Sequence, residues 1–165
     1  MSSRRPAFVR ATRDGGIHLQ LRDPEREVLA STLDQLRQAL VADPDDSGLR
    51  RLFPPGYADD PERDAEYREL VRDELLEGRL AAIDTVEAGL DGEPVAPEAA
   101  GSWLQALNAL RLVVGTRLDV SEDDEPVLDP AHPDTPLWAL YLFLSQLVEE
   151  LVGALAGTLP PTTQD

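Results

Sequence analysis

The sequence predicts a mainly α-helical fold, a helical bundle of four to six helices with a short N-terminal β-hairpin. Three observations lead there. Apolar residues recur at three- and four-residue spacing through four long segments, the period of one helix face. Asp-Pro or Thr-Pro pairs precede three of those segments, and polar or Pro/Gly-rich stretches separate them. Only residues 7–21 depart from this pattern, with two short, partly alternating runs around a Gly-Gly turn.

A chain of 165 residues, 42% of them hydrophobic, is long enough to bury one core without disulfide or metal staples. We expect one helical domain over 1–157 and a disordered tail over 158–165. Phe8 to Thr12 and Ile17 to Leu21 flank Arg13-Asp14-Gly15-Gly16, whose glycines can adopt positive φ, so the hairpin is placed at about 7–21. A lone hairpin is marginal in water; it should pack on the helices or pair with another chain. Asp23 is expected to cap, and Pro24 to open, a helix over about 24–42 with Leu29, Leu33, Leu36 and Leu40 on its inner face.

Pro54-Pro55-Gly56 then forms a rigid connector that Leu52, Phe53 and Tyr57 can pin down. Asp60-Pro61 repeats the capping arrangement for a helix over about 61–90, supported by Tyr67, Leu70, Val71, Leu75, Leu80, Ile83 and Leu90. Gly78 inside it costs about 1 kcal/mol relative to Ala, which marks where the segment would bend or divide. After a Pro/Gly linker, Trp103, Leu107, Leu110 and Val114 share one face of a helix over about 97–119, the expected centre of the bundle. Ser121 to Thr135 reads as irregular surface chain. Thr135 is expected to cap and Pro136 to start the last helix, about 135–157, apolar on more than one face through Phe143 and therefore central or half of an interface.

Composition excludes several chemistries. Cysteine is absent, which removes disulfides, thiolate nucleophiles and Cys-based metal sites. All 15 basic residues are arginines, so there is neither a Schiff-base lysine nor the lysine of a P-loop. Glu122 to Glu125 are consecutive, whereas a calcium loop alternates its ligands. His18 and His132 do not stand in Glu-x-x-His pairs, and Ser102 and Ser145 lack a G-x-S-x-G frame. No catalytic, cofactor or metal motif is read.

The net charge of −17 is uneven: residues 1–22 hold five arginines and one aspartate, a balance of +4, leaving −21 on the rest. So acidic a body repels phosphate backbones, and nucleic acid is not expected as a partner. A transcriptional regulator using the basic N-terminal arm is the weakest of the functional readings. No apolar h-region marks a secretory signal. Leu137 to Leu144, the most apolar run, is shorter than the about 20 residues that span a bilayer, so a soluble cytoplasmic protein without a membrane contact is expected.

Two groups stand out as candidate sites. Arg111 lies beside the Trp103 seam on the flank of Asn108 and Gly115, and Arg117 lies on the opposite flank. An arginine so placed must snorkel or find carboxylates, here Glu66, Glu69, Asp73, Glu74 or Glu77 of the preceding helix. Its functional alternative is a pocket for a small anion or acidic metabolite formed by Asn108, Arg111 and Arg117. The second group, Trp138, Tyr141, Leu142 and Phe143, is a candidate interface for an unidentified protein partner or, as a homodimer, for a second copy.

Three stretches together, LFPPGYADDPERDAEYREL at 52–70, WLQALNALRLVVGTRL at 103–118 and the helix at 137–155, carry a resemblance. The chain resembles the actinobacterial family called domain of unknown function 2017. That resemblance implies a mostly helical bacterial cytoplasmic protein, often encoded beside the adaptor of the Clp protease, and brings no catalytic residues. The leading expectation is a non-enzymatic regulatory or adaptor protein that acts by protein contacts and has a link to proteolysis.

Overall fold

Gly15 turns the chain back on itself at φ 88°, joining β1 (Val9–Ala11) to β2 (Ile17–Leu19). The computed structural model describes residues 7–43, 49, 52, 61–120 and 125–157, with backbone alone at 61, 64 and 67–72. The strands run antiparallel with Val9 opposite Leu19, Arg10 opposite His18 and Ala11 opposite Ile17. Val9, Ile17 and Leu19 are buried. The hairpin also gains a partner within the chain: Ile17 and Val95 exchange backbone hydrogen bonds of 3.0 and 2.7 Å. Gly16 permits this approach, because a Cβ there would lie 2.3 Å from the Val95 carbonyl oxygen.

Among the described residues the bundle has four helices. In α1 (Asp23–Ala42) the leucines at 29, 33, 36 and 40 are all buried. Its N-cap is Arg22 rather than the expected Asp23, which lies in the first turn. Glu25 reaches back to accept the Arg22 N–H at 2.8 Å and pairs with its guanidinium at 3.2 Å, so the longer side chain satisfies the helix start. The second helix, α2 (Pro61–Ala88), runs unbroken through Gly78 and stops just short of the expected residue 90. Nothing approaches the position of a Gly78 Cβ. Leu75, expected to support the apolar face, is exposed, whereas Ile83 is buried and Leu80 packs on the core. Phe53, Tyr57 and Asp60, and the side chains of Tyr67, Leu70 and Val71, fall outside the described residues.

Between α2 and α4 lies α3 (Pro97–Leu118), in the middle of the bundle as the sequence predicts. Its Trp103, Leu107, Leu110 and Val114 seam is buried, joined by Ala100, Ala106, Ala109 and Val113. The helix stops where Asp119 enters the left-handed region at φ 53°, and the Val120 N–H returns to the Gly115 carbonyl at 2.9 Å. In α4 (Thr135–Gly157) the expected cap is displaced: the Trp138 N–H bonds the Asp134 carbonyl at 2.9 Å, while the Thr135 hydroxyl donates to the Asp129 carbonyl. Leu144, Leu147, Val148 and Leu151 of α4 join the core. The eight-residue run read as too short for a membrane span sits in a 23-residue helix that is long and apolar enough to cross one by length and composition. Only 22% of its most apolar window is buried.

An interhelical ion pair exists, at a place the sequence did not single out. Arg37 of α1 reaches Asp84 at 2.6 Å and Glu87 at 2.7 Å on α2, with Asp34 at 3.6 Å. Hydrogen bonding to Glu87, ahead of all other causes, raises the Arg37 pKa above its ordinary value. The two acids stand three residues apart, one turn of α2, and so grip one guanidinium.

Candidate interaction site

The two residue groups singled out in the sequence meet different fates. Arg111 donates from Nε and Nη2 to the Asn108 side-chain oxygen at 3.2 and 2.8 Å, one turn back on the same helix. Among the described residues it makes no ion pair; of the α2 acids expected to meet it, Glu66, Asp73, Glu74 and Glu77 are exposed, and the side chain of Glu69 lies outside the described residues. Because Arg111 stays half-buried, its guanidinium needs a partner but not a counter-charge, and the local amide serves. Arg117 is exposed, six residues on, which is about 240° round and about 9 Å along the helix. Asn108 and Arg111 come together; Arg117 does not converge with them.

Of the second group, Leu142 and Phe143 line a groove, whereas Trp138 and Tyr141 do not. Trp138 is buried and stands edge-on to Tyr141, ring centroids 5.8 Å apart, while Leu142 is 37% exposed. Phe143 packs edge-on against Phe8 at 5.3 Å, joining α4 to the start of the hairpin. Beside this contact the Glu150 carboxylate accepts the Phe8 and Val9 backbone N–H groups at 2.8 and 3.3 Å. These two contacts fasten the hairpin to the side of α4, and an open groove of about 780 Å³ lies between them and the loop before α4.

Leu142, Phe143 and Ala139 of α4, with Phe8 and Leu128, give the groove its apolar lining; Leu128 is 58% exposed. Gln20 and Gln146 supply amides, and Arg22 and Glu25 stand paired on the far wall. None of these lining residues forms a nucleophile–base pair, so the groove's chemistry is that of apolar contact with a few hydrogen bonds. Among the described residues no group of three His, Asp or Glu side chains converges on a metal site. The candidate interface read from the sequence includes Leu142 and Phe143 of the groove's lining but neither Phe8 nor Leu128, and the role of Glu150 in holding the hairpin was not read. A carboxylate two turns beyond Phe143 on an apolar helix was the one available signal, since such a group needs donors.

The family model described as "Domain of unknown function (DUF2017)" matches residues 5–155. The chain belongs to this family. Among its relatives are the oxidative stress regulator AosR of Mycobacterium tuberculosis, 30% identical over 132 residues, and the AosR protein of Mycobacterium leprae, 31% identical over 133. Each match covers 70% of this chain and 61% of the relative, so the chain spans less than two thirds of those proteins' length. A shorter match, 48% identical over 46 residues, is to a UDP-N-acetylmuramoyl-L-alanyl-D-glutamate–2,6-diaminopimelate ligase of Ralstonia nicotianae; it covers 28% of this chain and 9% of that enzyme. No solved structure matches. The relatives that span most of the chain carry the name of regulators, which agrees with a regulatory role.

Proposed function

We propose that this chain is a non-enzymatic cytoplasmic regulator that binds a protein partner in the groove beside α4. The observation that carries the reading is the open groove beside α4, where exposed Leu142 and Leu128 and half-buried Phe143 gather apolar surface. Exposed apolar surface gathered in one place is what a docking site requires. The names of the mycobacterial relatives support a regulatory role connected with the response to oxidants. With no cysteine in these 165 residues, a thiol that senses the oxidant would have to lie outside them. The Clp-adaptor neighbourhood implied by the family makes a component of proteolysis one identity for the partner.

The test compares wild type with Leu142→Glu as baits in a native actinobacterial lysate. A stoichiometric partner held by wild type and lost from the variant is the expected result. A partner retained equally by both would remove the groove from the reading.

A further inference from the structure

Resting on that reading of the groove, we infer that its occupant is a basic, amphipathic helical segment of another protein. Its apolar face would lie on Leu142, Phe143 and Leu128, and its cations would face the acidic α4 wall. Charge is the first support. After Arg117 the sequence contains neither Lys nor Arg. The loop and helix forming this wall therefore carry acids and, apart from the exposed His132, no basic side chain, with Glu125, Asp129, Asp134 and Glu149 all exposed. Leu128 adjoins Asp129, and Glu149 lies one turn beyond Gln146, so acids flank the groove at both ends of that wall. Among the described residues Arg22 is the one cation in the lining, and it is tied to Glu25. Acids within a Debye length of about 8 Å act on an occupant at physiological salt.

Shape is the second support. Ala139, Leu142, Gln146 and Glu149 follow one another at three-, four- and three-residue spacing, a stripe along α4 against which another helix packs. Hairpin residues Arg10 and Arg13 are exposed on the other side, so the partner's cations should turn toward Asp129 and Glu149 and away from the hairpin. A second copy suits the groove less well. A two-fold contact would set one all-acidic α4 wall against another, within two chains of net charge −17.

The test uses the full chain and a fluorescent model peptide of leucine and lysine, about 14 residues or four turns long. Its controls are a shuffled peptide of the same composition and a version with glutamate for every lysine. Fluorescence anisotropy at physiological salt should show the lysine peptide binding at least about tenfold more tightly than either control, with Leu142→Glu weakening it about tenfold. That variant separates the mechanisms, because bare charge attraction predicts tighter binding when a carboxylate is added. Ala139→Glu, also at an exposed position, provides a second variant, and thermal melts of both should match wild type.

Shuffled peptide binding as tightly as the helical one, or tightening by Leu142→Glu, overturns the inference. Leu142-dependent binding of the glutamate peptide as tight as that of the lysine peptide keeps the docking reading and overturns the basic occupant. If neither amphipathic peptide binds in a Leu142-dependent way, the docking reading falls too. Sedimentation showing a dimer that Leu142→Glu dissociates would assign the groove to a second copy.

Discussion

Glycines carry opposite weights at different positions, and their surroundings decide the sign. Gly78 sits inside α2 with open space where a Cβ would be, so it contributes only its entropic cost to the helix. Gly78→Ala should raise the unfolding free energy by about 1 kcal/mol, read from the midpoint of a urea titration. Gly16 is the reverse case: a Cβ would meet the Val95 backbone carbonyl at 2.3 Å, and backbone tied into a bridge cannot step aside. Gly16→Ala should cost about 2 kcal/mol or more and speed hydrogen exchange at the Ile17 and Val95 amides. Both glycines were visible in the sequence, yet only positive φ suggested itself for the turn. Gly15 takes that role at φ 88°, while Gly16 serves a close approach to a residue far along the chain.

Helices were legible because their inner faces are written locally. Leu29, Leu33, Leu36 and Leu40 fall on one side at the α-helical period, and all four are buried. Helix ends were less legible, since capping depends on which side chain reaches the free N–H groups. Glu25 takes that task in α1, and Asp134 rather than Thr135 accepts the first bond of α4. The attachment of the hairpin to α4 could not be read from either element alone. Glu150→Ala should remove the acceptor of two strand N–H groups, costing about 1–3 kcal/mol. The loss should appear as faster amide exchange at Phe8 and Val9, with the α3 core protected. The α1–α2 ion pair at Arg37 is partly exposed, so solvent screening keeps its contribution modest.

For the molecule as a whole, the separation of charge matters more than its total. The loop and helix that expose the apolar groove carry acids and neither Lys nor Arg, while the exposed Arg10 and Arg13 stand on the hairpin. Oxidants have little to act on within this chain: there is no cysteine, and Met1 is the single methionine. Hydrogen peroxide should therefore add at most one oxygen by intact mass, at Met1, and leave the thermal melt unchanged. A larger mass shift or a lowered melting temperature would show a sensor inside the chain and displace the partner-based account of oxidant response.

By itself the sequence determined the helical class, the buried seam of α3, the chemistries removed by the missing cysteine and lysine, and the lack of Lys and Arg beyond Arg117. Each of these follows from composition or from periodicity within a few turns. Tertiary structure alone decided that Phe8 meets Phe143, that Glu150 caps a strand 142 residues away, that Val95 extends the hairpin, and that Arg111 settles on Asn108. Periodicity reports which face of an element is apolar. It carries no record of which distant element covers that face, and the groove beside α4 is a part that no described element covers completely.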